Sequence, residues 1–111
     1  MANSILAQIL TAAVPYTGAW QKVPHRNEVN GPAMSWTVQA VEGTSGTVTA
    51  TVIIDASNDG VNALPTPLGT ITLNATSPAI DGFAWTARWN FIRVRVTAMS
   101  AASALTVTLG W

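Results

Sequence analysis

Residues 47–55, with the sequence TVTATVIID, decide the fold of this protein. Apolar side chains occupy every second position of this stretch, and threonines fill the positions between them as far as Thr51. Successive side chains of a strand point to opposite faces, so a period of two gathers the apolar residues on one face. β-Branched residues dominate the stretch, and they suit a pleated, half-buried surface. We therefore predict a strand with one face in the core.

The same alternation recurs in residues 34–41, 68–74, 89–99 and 104–111. In the third of these stretches, the apolar face is predicted to hold Ile92, Val94, Val96 and Ala98. The pattern predicts an all-β protein, an antiparallel β-sandwich or jelly roll of about six to eight short strands. It leaves the order of the strands open.

Turn-forming residues separate the predicted strands. Residues 43–46 predict a hairpin connection, and residues 57–60, with the sequence SNDG, predict a tight turn. Pro65 and Pro67 mark a longer loop, and the pairs Ser77-Pro78 and Asp81-Gly82 mark another.

The N-terminal end of the chain is ambiguous. Its apolar residues fit one face of a helix and fit a buried strand nearly as well: Ile5, Leu6, Ile9 and Leu10. We favour a strand, because the rest of the chain is all-β, and we divide the chain into an N-terminal arm or first strand at 1–15 and a single sandwich domain at 16–111. Such an arm could pair with a partner chain. Deletion of residues 2–14 is then expected to weaken binding and leave the body folded.

Charged residues make up 9% of the chain, against roughly 25% in an ordinary soluble domain. So few charged residues indicate that other protein covers much of the surface. The net charge is zero, which argues against nucleic acid as a partner. The absence of cysteine excludes disulfides and thiolate metal sites. The longest apolar stretch, residues 5–14, is too short to span a membrane, so we expect no membrane partner.

The residues of catalysis do not assemble into a recognisable motif. His25 is the sole histidine, and no nucleophile motif accompanies it. The acids show no paired spacing: Glu28, Glu42, Asp55, Asp59 and Asp81. Residues 55–60 resemble the start of a calcium loop, but Thr66 stands where that loop needs a bidentate glutamate, so a plain turn is favoured. We predict a non-enzymatic protein without cofactor, metal or small-molecule substrate.

Aromatic and arginine residues are the candidates for contacts with a partner. Trp36 and Trp111 fall on apolar faces and are predicted to lie in the core, whereas three other tryptophans lie near the ends of elements. Tryptophan is common at binding hot spots, and it also stacks on sugars. An outward face of residues 89–99 combines aromatic, arginine and methionine side chains, which favours a contact surface; the alternative is pairing of the arginines with Asp55 or Glu42. The candidate interface residues are Trp20, Arg26, Trp85, Arg88, Trp89, Phe91, Arg93, Arg95, Ile5, Leu6 and Ile9.

Three segments carry a resemblance to a known family: TVIIDASNDG at 51–60, LGTITL at 68–73 and WNFIRVRVTA at 89–98. With its length, its lack of cysteine and its threonine-rich strands, the chain resembles the decoration (cement or staple) proteins of tailed-bacteriophage capsids. The resemblance implies a jelly-roll body that pairs as a homodimer and has no catalytic residues. It also implies binding of the major capsid protein on the outer surface of the virion, after synthesis in the bacterial cytoplasm. The alternative is a carbohydrate-binding β-sandwich of a tail fibre or spike.

Overall fold

The structure, a computed structural model, describes residues 2–27, 31–32 and 34–111, with the backbone alone at 26–27 and 31–32. In chain order its strands are β1 (Asn3–Leu10), β2 (Tyr16–Thr17), β3 (Gln21–Lys22), β4 (Arg26–Asn27), β5 (Gly31–Pro32), β6 (Trp36–Gly43), β7 (Thr47–Ser57), β8 (Gly69–Thr76), β9 (Ala79–Trp85), β10 (Phe91–Met99) and β11 (Ala104–Gly110). A short 3-10 turn, Thr11–Ala13, follows β1. Within the described ranges no helix is long and apolar enough to cross a bilayer.

Two antiparallel sheets face each other. Sheet A has the order β1-β11-β6-β9, and sheet B has the order β2-β10-β7-β8, with β3 also paired to β10. When β2 and β3 are counted as one interrupted strand and the small β4–β5 ladder is left out, eight strands remain and can be renumbered 1 to 8 in chain order. Sheet A then has the order 1-8-3-6, and sheet B has the order 2-7-4-5. This alternation of the chain between two sheets is a jelly roll. The predicted fold class is confirmed.

The core is built from the inward residues of both sheets. On β7 the residues Val48, Ala50, Val52 and Ile54 are all buried, as the alternation predicts. The opposite sheet contributes Trp36, whose side chain is fully buried and whose indole Nε1 donates to the carbonyl oxygen of Pro24 at 2.6 Å. Burial of each large apolar side chain stabilises the fold by about 1.5–3 kcal/mol.

Two of the predicted turns are corrected by the topology. Residues 43–46 connect β6 in sheet A to β7 in sheet B, so they bridge the sheets and do not close a hairpin. Asp81 and Gly82 lie inside β9 and not in a loop. Gly82 is needed there for close packing, since an added Cβ would collide with the carbonyl oxygen of Val38.

A bulge corrects the predicted inward face of β10. The register against β7 shifts between Val96 and Ala98, so Ala98 is exposed and Met99 packs against the core. An extra residue in one strand of a pair reverses the faces that follow it.

The N-terminal residues form the first strand of the sandwich. β1 pairs with β11 from Asn3 to Leu10, with a bulge between Ile5 and Ala7. Leu6, Ala7 and Ile9 are buried in the core. This edge of β11 is therefore taken by the chain itself, and an incoming strand of a partner would have to pair along the outer edge of β1.

We expect deletion of residues 2–14 to prevent stable folding, in contrast to the expectation from sequence. The deletion removes the buried Leu6 and Ile9 and exposes the ladder of β11 to water. The lost burial of these two side chains costs about 3–6 kcal/mol, which reaches the lower end of the total stability of an ordinary domain, about 5–15 kcal/mol. Circular dichroism with thermal denaturation measures the effect. A cooperative melt within a few degrees of the intact chain would contradict this assignment of β1.

Candidate interaction surfaces

A cluster of charges lies on the outer face of sheet B. The register of β10 against β7 places Arg93 directly opposite Asp55. The Nε of Arg93 donates to Oδ2 of Asp55 at 2.9 Å, while Arg95 donates through Nε to Oδ2 and through Nη2 to Oδ1 at 3.0 Å. The Asp55 side chain is 3% exposed, and both arginine side chains remain partly exposed.

The ionisation of Asp55 reflects these contacts. Burial is the largest single influence and opposes the charged form, but the hydrogen bonds and charges of Arg95 and Arg93 together outweigh it and hold the pKa of Asp55 below its usual value. The hydrogen bond to Asp55 also raises the pKa of Arg95. Of the two acids considered as internal partners of these arginines, Asp55 is the one used. Arg93 and Arg95 are thus partly committed within the chain.

Trp20 lies beside this cluster. The guanidinium carbon of Arg93 is 4.6 Å from the centre of the Trp20 ring, a cation–π contact. Phe91, which lies two residues before Arg93 on β10, is half-buried and packs over Gly60.

The other candidate tryptophans belong largely to the core. Trp85 is buried and stacks on Trp36 with ring centres 6.0 Å apart. Trp89 is half-buried, and its carbonyl oxygen accepts a hydrogen bond from Nε2 of His25 at 3.0 Å. His25 in turn packs edge-on against Trp36.

For several candidate interface residues, the structure corrects the predicted exposure. Trp85, Leu6 and Ile9 are buried, so they support the surface from within and do not offer it. Arg88 is exposed, with its guanidinium 6.0 Å from the Trp36 ring, and Ile5 is 56% exposed. The side chain of Arg26 lies outside the described residues. Packing between the sheets decides these placements, and the order of the strands sets that packing.

The outer face of sheet A is a surface that the sequence did not single out. Its outward positions follow from the register of the four strands. They are Asn3, Ile5, Gln8, Leu10, Ala104, Thr106, Thr108, Gly110, Thr37, Gln39, Val41, Gly43, Ile80, Gly82 and Ala84. None of these residues is charged, and we call this surface the uncharged face.

Exposed apolar side chains mark both margins of the uncharged face. Ile5 and Leu10 on β1 are 56% and 65% exposed, and Ile80 on β9 is 56% exposed. Between them lie mainly short polar side chains and glycines. A shallow depression of about 320 Å³ lies on this face, and another of about 530 Å³ along β6 and β9 includes the exposed Asp81 in its lining. The alternation of residues 34–41 and 104–111 contains the signal for this face, but only the topology places the two strands side by side.

The SNDG turn is a self-contained structure. Oδ1 of Asp59 accepts from the backbone N–H groups of Val61 and Asn62, both at 2.8 Å, and from the Ser57 hydroxyl. These hydrogen bonds, the backbone ones first, hold the pKa of Asp59 far below its usual value. Because Asp55 serves the arginines and Asp59 serves the backbone, the geometry is that of the predicted turn.

Comparisons with known proteins support the fold and leave the function open. No family model matches the sequence, and no curated protein matches it significantly. Solved structures with a similar fold include the following two. One, a family 16 carbohydrate-binding module, superposes with a TM-score of 0.51 at 11% identity, over 94% of this chain and 74% of that one. The other, the SPBc2 prophage-derived protein YomS, superposes with a TM-score of 0.52 at 8% identity, over 98% and 94%.

We expect Asp55→Asn to destabilise the protein by about 1.5–3 kcal/mol at pH 7, because charge-assisted hydrogen bonds to a buried acceptor are lost. The native pKa of Asp55 lies below its ordinary value of 3.8. The contribution is therefore complete above about pH 4 and declines as the pH falls toward the lowered native pKa. Urea denaturation at pH 7 and pH 3 measures the difference.

The matched control is Asp81→Asn, whose carboxylate is exposed and contacts the adjacent N–H of Gly82. We expect the control to change stability by no more than about 0.5 kcal/mol. Equal effects of the two substitutions at pH 7 would contradict the role given to Asp55.

Proposed function

We propose that this chain is a non-enzymatic structural protein of a bacteriophage virion. It binds the outer surface of the capsid through the uncharged face and staples neighbouring major capsid subunits. The observation that carries the proposal is the uncharged face itself, since a sheet four strands wide whose outward positions all lack charge is unusual for a surface left in water. Pairing of two copies belongs to the same proposal.

The chemistry of the uncharged face suits contact with protein. Removing an ion from water costs several kcal/mol unless it is well paired, so a surface without ions is inexpensive to bury. Threonine and glutamine side chains can exchange water for hydrogen bonds to a partner, and Ile5, Leu10 and Ile80 supply exposed apolar area.

The size of the uncharged face also fits a repeating shell. A four-stranded sheet is about 15–20 Å wide, and strands of 7 or 8 residues are about 25 Å long. The area of about 400–500 Å² is smaller than the roughly 800 Å² per partner of a standard stable interface. Each contact is then weak on its own. A protein that touches two neighbouring capsid subunits gains affinity from the second contact, because that contact forms within one complex.

The prophage-derived neighbour supports the proposal in a limited way. It has the same architecture over nearly the full length of both chains, so this jelly roll is known in a protein of prophage origin. The threonine-rich, cysteine-free sequence and its resemblance to capsid decoration proteins point in the same direction.

The second candidate function is carbohydrate binding. It is favoured by the fold of the family 16 module and by the five tryptophans. All five tryptophans lie in the described ranges, and each is buried or half-buried, so no tryptophan ring is fully open for sugar stacking. The nearest approach to a platform is Trp20, which already holds the guanidinium of Arg93.

We expect Gln39→Lys and Thr108→Lys, on the central strands of the uncharged face, to weaken binding to capsid shells by tenfold or more. Each places an ion in the contact, and tenfold corresponds to about 1.4 kcal/mol. Co-sedimentation with shells stripped of this protein measures the affinity. The control is Thr72→Lys on the outer face of sheet B, which is expected to bind within about twofold of the unaltered chain.

Saturable binding at a fixed ratio to capsid subunits supports the proposal. Unaltered binding of both uncharged-face variants would refute docking through sheet A. Binding to glycan-coated beads, with a change in tryptophan fluorescence, would instead favour carbohydrate binding as the function.

A further inference from the structure

A carboxylate lies in the core of the sandwich, away from both outer faces. Glu42 follows Trp36, Val38 and Ala40 in the inward register of β6, and its exposed fraction is 0%. Acidic side chains are almost never fully buried unless they are paired or coordinate a metal. The position therefore calls for a partner.

The contacts of Glu42 are one-sided. Its Oε2 accepts from the hydroxyls of Ser103 at 2.7 Å and Ser100 at 3.1 Å. Its Oε1 is buried and has no hydrogen-bond partner among the described residues. One oxygen of the carboxylate is thus satisfied by hydroxyls, and the other is available.

Basic side chains of the described part of the chain lie elsewhere. Ion pairs there involve Asp55 alone, through Arg93 and Arg95 on the outer face of sheet B. Lys22 pairs with the first residue of β10, whereas Ser100 follows the last, which is about 27 Å of strand away. No described lysine or arginine neutralises Glu42.

Further oxygen atoms lie at this end of the sandwich, next to the serine hydroxyls that contact Oε2 of Glu42. The Thr11 hydroxyl donates to the carbonyl oxygen of Ser100 at 2.6 Å and accepts from the N–H of Ser103 at 3.0 Å. The turn that carries both serines contains Ala102 with a φ of 56°, in the left-handed region. An open cavity of about 540 Å³, lined by Thr11, Gly43 and Ser103 among others, adjoins the cluster.

We propose that Glu42, with the oxygens of Thr11, Ser100 and Ser103, binds a single hard cation such as Ca²⁺ or Na⁺. Hard cations take carboxylate, hydroxyl and carbonyl oxygens, and a positive ion supplies the charge that the described side chains do not. With one carboxylate the site has low ligand charge, so Ca²⁺ binds weakly, with a dissociation constant of about 10⁻⁴–10⁻³ M. The cation joins β6, the Thr11–Ala13 turn and the β10–β11 turn.

The test is thermal denaturation of the intact chain in chelator-treated buffer, with CaCl2, NaCl or tetramethylammonium chloride at equal ionic strength. We expect the Tm in about 10 mM CaCl2 to be roughly 4–10 °C higher than the Tm in tetramethylammonium chloride. If the site prefers Na⁺, the higher Tm is seen in NaCl instead. Glu42→Gln, which is nearly isosteric, removes this rise. Asp59→Asn, the matched control in the calcium-loop-like segment, keeps it.

A second variant tests the site even if Glu42→Gln fails to fold. Ser103→Ala retains the carboxylate and removes one oxygen, so we expect it to need at least about threefold more cation for the same rise in Tm. Equal Tm in all three salts would overturn the proposal, and so would a rise that survives Glu42→Gln. A rise lost in Asp59→Asn would assign the cation to the SNDG turn and also overturn it.

Discussion

The antiparallel register of β7 against β10 is the constraint on which the rest of the structure depends. It aligns Ile54 with Val94 and Val52 with Val96, and all four side chains are buried between the sheets. A slip of one residue would turn these side chains outward and the threonines inward, so the buried face fixes the register. The same alignment places Arg93 opposite Asp55 on the outer face. The register of β7 against β10 therefore determines both the packing of the core and the position of the charge cluster.

The jelly-roll topology distributes the few charges unevenly. Sheet B carries Asp55 and its two arginines on its outer surface, whereas the outward positions of sheet A are uncharged throughout. Both outer faces are rich in threonine, so composition alone does not separate them. The proposed function depends on this difference in charge between the two outer faces.

Much of the fold could be predicted from the period of two, because the alternation depends on each strand alone. The buried faces of β6 and β7 and the turn at Asp59 follow directly from local sequence. Other features depend on which strands become neighbours. The bridging role of residues 43–46, the burial of Trp85 and the uncharged face all require the strand order. Bulges at Leu6 and near Ala98 shift the faces without a clear sequence signal.

The proposed function requires sheet A, and not sheet B, to lie against the capsid. Electron cryo-microscopy of shells saturated with the protein tests this placement, because the density of Trp36 and Trp85, which both belong to sheet A, distinguishes that sheet from sheet B. We expect β1, β11, β6 and β9 to lie against the shell at junctions between capsid subunits, with Arg93 and Arg95 on the side away from the shell. A map in which sheet B lies against the shell, or in which no density is added, would contradict it.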